Sequence, residues 1–174
     1  MKIAHLFGPL LAAAAAALTP ATSWSQSKVS DGMIRIGVLT DLSGQFSSES
    51  GKGSVTAIQM AVEDFGGKVL GVPIEVIAAD HLNKPDVALA KAREWYDTQK
   101  VDVIANLINS AIALGVTSVA KEKNRIAIVN GSGSSRLTND ACTPNSIHYA
   151  YDTFALANGC LLYTSPSPRD RQKS

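Results

Sequence analysis

The chain has 174 residues, 45% of them hydrophobic, and a formal net charge of +1. Setting aside Lys2, Arg169, Asp170, Arg171 and Lys173 at the two ends turns that charge to about −2 for the remainder. A near-neutral, slightly acidic chain without basic runs argues against nucleic acid and anionic membrane as partners.

Residues 1–25 have the three parts of a secretory signal. Lys2 is the positive start, Ile3 to Leu18 is apolar with alanines from 12 to 17, and small residues precede the cut. Ser23 and Ser25 stand three and one residues before a cut ahead of Gln26; a cut after Ser23 is the alternative. A spanning helix needs about 20 strongly apolar residues. Alanine is only weakly apolar, and Pro9 and Pro20 bracket the run. No Cys lies near the cut, so no lipid anchor is expected, and the mature protein is expected in the periplasm.

From residue 26 to Gly159 lie roughly 134 residues, about one domain by the length prior. Here strand and helix periods alternate. Ile34–Leu39 is a short β-branched run. Ser54–Phe65 carries apolar residues at Val55, Ile58, Met60, Ala61, Val62 and Phe65, mostly on one helical face, and Gly66-Gly67 stops it. Pro73–Ala79 reads as a second strand. Lys84–Thr98 reads as a helix with Pro85 in its first turn, where the missing N–H costs nothing. Asp102–Leu107 is a third strand, Ser110–Lys123 a third helix, Ile126–Val129 a fourth strand and Ile147–Tyr149 a short fifth. This alternation predicts an α/β fold, a doubly wound parallel sheet with helices on both faces and right-handed crossovers.

In such folds ligands meet the loops that leave the carboxyl ends of the strands. Three loops qualify: Asp41 to Ser48, Asn109 to Ala111, and Asn130 to Ser135. All are rich in hydroxyls, small residues and N–H groups, which suits a carboxylate at a helix N-terminus. The plainer reading of each is a turn with a helix cap. Other chemistry fails. Gly51-Lys52 is followed by Gly53 where a P-loop needs Ser or Thr. Gly131 and Gly133 lack the third glycine of a dinucleotide fingerprint, and no G-x-S-x-G is present. Asp80 and His81 lack a third metal ligand and read as a solvated turn, and His148, in an apolar run, reads as structural. No catalytic constellation, cofactor site or metal site is expected.

After Gly159 the chain reads CLLYTSPSPRDRQKS, without helical or strand period and with two Ser-Pro steps. A plain loop or linker is one reading. Cys160–Asp170 also resembles, residue for residue, the translation of a transposase sequencing adapter, which makes 160–174 a non-native tail on a native sequence that stops near Gly159. A Cys142–Cys160 disulfide is then not expected. Cys142 either pairs outside this sequence or is a small buried thiol.

IRIGVLTDLSGQFSSESG, AVEDFGGKVLGVPIEVIAAD and VNGSGSSRLT together resemble the type I periplasmic substrate-binding proteins of ABC importers. The closest group is the branched-chain amino-acid-binding (leucine/isoleucine/valine-binding) family, and the resemblance spans Ser30 to Gly159. It implies two α/β lobes joined by a hinge, of which residues 26–159 form most of lobe one. It implies a monomer that binds an amino acid or related small amide or organic acid by hinge closure and delivers it to a membrane permease, with no chemistry on the ligand. Asn109 and Ser110 match the family's hydroxyl pair that opens the third helix. Ser132, Gly133 and Ser134 match the loop before its Leu-Thr signature, here Leu137-Thr138. Phe46 matches an aromatic position that packs on the ligand, and Tyr151, beside Asp152, falls near the hinge. Asn109 in place of Ser or Thr, Phe46 without a phenol hydroxyl, and the missing first-lobe disulfide depart from the leucine binders. A sensory ectodomain is the alternative within the fold, and an exported α/β enzyme the alternative outside it.

Overall fold

The computed structural model describes residues 31–164. The predicted signal, and the part of the predicted tail beyond Thr164, lie outside the described residues. The chain runs β1 (Ile34–Thr40), α1 (Gly51–Asp64), β2 (Lys68–Val69), β3 (Val72–Asp80), α2 (Pro85–Asp97), β4 (Val103–Ala105), α3 (Ser110–Lys123), β5 (Ile126–Val129), β6 (Ser146–His148) and α4 (Thr153–Thr164). The sheet order is β2-β3-β1-β4-β5-β6. All pairs are parallel except β2 with β3. The expected parallel α/β architecture is what forms.

Crossover handedness distributes the helices. The chain moves one way from β1 to β3 and the other way from β3 through β4 to β5, so right-handed crossovers put α1 on one face and α2 and α3 on the other. The α2/α3 face holds the core. Leu39, Ile104, Ala127 and Val129 of the sheet region pack there with Ala88, Ala92 and Trp95 of α2 and Ile112, Val116 and Val119 of α3. Gly37 is required beneath Trp95, since a Cβ there would lie 2.6 Å from the indole ring. The Tyr96 hydroxyl reaches across to donate to the Ile126 carbonyl, and burial pushes its pKa up.

The ends follow local chemistry. Pro85 opens α2. Gly66 and Gly67, both at positive φ, close α1 with amides bonded back to the Glu63 and Val62 carbonyls. Asn124 closes α3 in the left-handed region, with Lys121 and Lys123 in its last turn.

Several expectations need correction. Leu70 and Gly71, both at positive φ, turn a two-residue β2 back onto β3; so short a strand carries no period of its own. α1 begins at Gly51 rather than Ser54, and its Met60 and Phe65 are exposed rather than inward. α4 runs through Cys160 to Thr164, where no helical period was expected. Its residues 153–159 are exposed throughout; a helix with nothing packed on it needs no amphipathic stripe. Cys142 is a free, exposed thiol, not a buried one.

Candidate functional site

The carboxyl ends of β1, β3, β4 and β5 share one edge, and the winding reverses between β1 and β4. Loops leaving a sheet on either side of such a switch point part from each other and leave a crevice.

The first loop follows β1 and is held from inside by its own first residue. The buried Asp41 carboxylate accepts the Gly44 amide at 2.8 Å and the Phe46 amide at 3.0 Å. A Cβ at Gly44 would sit 2.6 Å from both carboxylate oxygens, so only glycine fits. Asp80, ending β3, fastens the same loop from beside it. It accepts the Leu42 amide at 3.1 Å and the Ser43 hydroxyl at 2.6 Å. Burial works against ionising Asp80, but the Ser43 hydroxyl and the Leu82 and Leu42 amides outweigh it and hold the carboxyl below its ordinary range. Phe46 rides half-buried on the turn so formed.

The second loop follows β4. The Asn109 side chain caps α3, its Oδ1 accepting from the Ala111 amide at 2.8 Å and the Ile112 amide at 3.3 Å. Its Nδ2 donates to Asn83 Oδ1 at 2.7 Å. Both ends of this amide are thus engaged within the protein. Ser110, the first residue of α3, has its hydroxyl 3.0 Å from that of Ser132; two hydroxyls use one proton between them, which leaves the pair one proton to donate onward.

The third loop follows β5. Ser132 is fully buried, and its carbonyl lies 2.6 Å from His148 Nε2. A carbonyl only accepts, so Nε2 carries the proton. Gly133 backs onto Tyr151, whose ring would be 3.2 Å from a Cβ there, and its carbonyl accepts the Thr153 amide at 2.7 Å. Ser134 precedes a 3-10 turn at Ser135–Thr138 without capping it, and buried Leu137 anchors that turn. Among the residues picked out by sequence, Asn109, Ser110, Ser132, Gly133 and Tyr151 therefore form one connected group. Phe46 lies on the loop at the other side of the switch point.

His81 overturns its reading as part of a solvated turn: it is fully buried. With Asp41 and Asp80 it forms a cluster whose potential ligand atoms all lie within 4.8 Å of one another. The three come from two strand ends far apart in sequence, which is why Asp41 was not seen as a third member. A metal fits poorly. His81 Nδ1 accepts the Asn83 amide at 2.9 Å, so the single proton of the neutral ring is on Nε2, and Nε2 has no partner. Neither nitrogen offers an uncommitted lone pair. Burial lowers the His81 pKa, against the pull of Asp41 and then Asp80, and favours this neutral form.

Sequence reasoning also missed Asn83 and Asn106, whose role lies in contacts between loops. Asp41 had a local signal, since Asp followed three residues later by Gly marks a type I turn. At the opposite edge of the sheet a hollow is lined by Asp31, Arg35, Glu75 and their neighbours, but Arg35 there pairs with both acids. The described residues contain no helix long and apolar enough to cross a membrane.

The model of a family described as periplasmic binding protein matches residues 33–166. A periplasmic binding protein from Burkholderia mallei is 52% identical, with a TM-score of 0.72 over 74% of this chain and 34% of that one. A branched-chain amino acid ABC transporter periplasmic ligand-binding protein from Burkholderia xenovorans is 36% identical, with a TM-score of 0.71 over the same shares. A solute-binding protein of an ABC transporter from Rhodopseudomonas palustris, in complex with 3,4-dihydroxybenzoic acid, is 27% identical over 70% of this chain and 33% of that one, with a TM-score of 0.65. No match was found among curated proteins. The chain thus spans about one third of the length of these solved relatives. Matched over more than half its length, the chain belongs to the periplasmic binding protein family.

Proposed function

We propose that this chain supplies one wall of a solute receptor that captures a small carboxylate ligand outside the cytoplasm and hands it to an ABC permease. The ligand is an amino acid of branched-chain type or a related small amide or organic acid, bound by hinge closure and left chemically unchanged. The observation that carries this reading is the Ser110–Ser132 pair, with its proton free for an acceptor, at the N-terminus of α3. Hydroxyl and helix N-terminus together favour a carboxylate. The solved relatives fit that shared chemistry, since one is described as a branched-chain amino acid transporter component and two hold 3,4-dihydroxybenzoic acid and 4-hydroxybenzoate. Amino acids and aromatic acids have the carboxylate in common.

In this reading Ser110, Ser132, Gly133 and Ser134 hold the carboxylate, Asn109 sets the angle of α3, and Phe46 and Tyr151 flank the ligand body. The remaining charge balance and the side-chain pocket belong to a second lobe. Calorimetry with leucine, valine, benzoate and 4-hydroxybenzoate tests this, on the chain alone and on the chain continued into a second lobe. Tight binding is expected only with both lobes, and Ser110→Ala in the two-lobed protein is expected to weaken it about tenfold. Undiminished binding by Ser110→Ala would overturn the assignment.

A further inference from the structure

The first and second loops part at the switch point, so something must set how far apart they stand. Three buried, uncharged side chains lie there: Thr40 at the end of β1, Ser50 before α1, and Asn106 just after β4. Asn106 Nδ2 donates to Thr40 Oγ1 at 2.8 Å and to the Ser50 carbonyl at 3.1 Å. Thr40 Oγ1 in turn lies 3.0 Å from the Ser50 carbonyl and 3.1 Å from its hydroxyl. The Ser50 hydroxyl does not cap α1, although Ser is a favoured cap. It donates instead to the Phe46 carbonyl at 3.1 Å. A continuous path therefore runs from β4 to the backbone of Phe46. Asn106 has φ +68, in the left-handed region that Asn tolerates better than other side chains. That backbone turn aims the amide across the crevice floor at β1 rather than along β4.

We propose that Asn106 is the positioning residue that holds the first cleft loop, with Phe46 on it, at a set distance from the second. This deepens the reading above, because the crevice it shapes is the one assigned to the ligand. The link spans the one place where neighbouring strands send their loops apart. Elsewhere at this edge Asp80 joins Leu42 and Ser43, Ser132 joins Ser110, and Asn109 crosses the gap to Asn83 of the loop after β3, whereas Asn106 reaches the first loop itself.

Hydrogen exchange of the chain itself tests this without any ligand. Asn106→Gly keeps the backbone conformation and deletes the donor. Thr40→Val keeps the shape and deletes the acceptor. Each is expected to speed exchange of the amides between Gly44 and Gly51 about tenfold, with α3 and β5 exchanging as in the parent. Wild-type exchange of that loop in both variants would overturn the proposal. So would equal acceleration across all elements, which would make Asn106 a general contributor to stability. Should Asn106→Gly fail to fold, Thr40→Val alone decides. A two-lobed parent protein that binds neither leucine nor benzoate would remove the ligand reading. The local exchange result, and with it the role of Asn106, would stand.

Discussion

The two faces of the sheet are built differently. Beneath α2 and α3, Leu39, Ile104, Val129, Ile112 and Val116 are fully inaccessible and Trp95 nearly so. On the α1 side, Val55, Ile58 and Val62 are only half-buried, and Met60 and Phe65 are 57% and 66% exposed. The strand register puts Ile126 and Ile147 on that side too, and both are exposed. The difference matters for the crevice. Ser110 opens a helix that belongs to the tight face and is bonded to Ser132. Phe46 sits on the loop that feeds the loose one. In the proposed binding mode the hydrogen bonds from Ser110 need a fixed donor, and a helix packed on the tight face supplies that rigidity.

The comparison breaks most easily at Trp95. Trp95→Ala is expected to cost about 3–5 kcal/mol in denaturant unfolding; a cost no larger than that of an α1 substitution would erase the distinction between the faces. Gly37→Ala presses a methyl into the same ring and is expected to cost about 1–3 kcal/mol. Combined with Trp95→Leu it should cost less than the sum, because the clash is then relieved. Removing the α3 cap with Asn109→Ala is expected to cost about 1 kcal/mol by the same assay, with faster exchange at the Ala111 and Ile112 amides.

A pH-dependent loss should come from His81. Its pKa is lowered by burial in the fold, whereas an unfolded histidine keeps its ordinary 6.5. The unfolded chain therefore takes up the proton first. The stability contribution is intact above about 6.5 and declines as pH falls from there toward the folded pKa. Unfolding curves from about pH 7.5 to about pH 5 should show this decline, and His81→Asn, which keeps an acceptor for the Asn83 amide, should flatten it. The smallest effect belongs to α1: Met60→Ser is expected to change stability by no more than about 0.5 kcal/mol. A larger cost would mean that the α1 face is packed more tightly than its exposure implies.

How much was legible depended on how local the signal was. β1, α2, α3 and β5 each carry their own period and end residues, and each formed within a few residues of its expected bounds. α4 and β2 did not announce themselves, one because nothing packs on its described side chains and the other because two residues hold no period. At the crevice, Ser110 and Ser132 could be singled out as hydroxyls at strand ends. Their contact could not, since it depends on β4 and β5 lying side by side. Asp41 meets His81 only because β1 and β3 are neighbours, and this turned an expected solvated histidine into a buried one.

The residues by themselves therefore determined the class of the molecule: alternating periods of two and 3.6 dictate strands and helices, and their order dictates a parallel sheet covered by crossovers. Sheet order decided the rest. With β1 between β3 and β4, Asp41 faces His81, Asn106 reaches Thr40, and Phe46 and Ser110 stand on opposite sides of one crevice. Hydrogen bonds act over about 3 Å, so groups tens of residues apart become a site only once strand pairing has brought them within that reach.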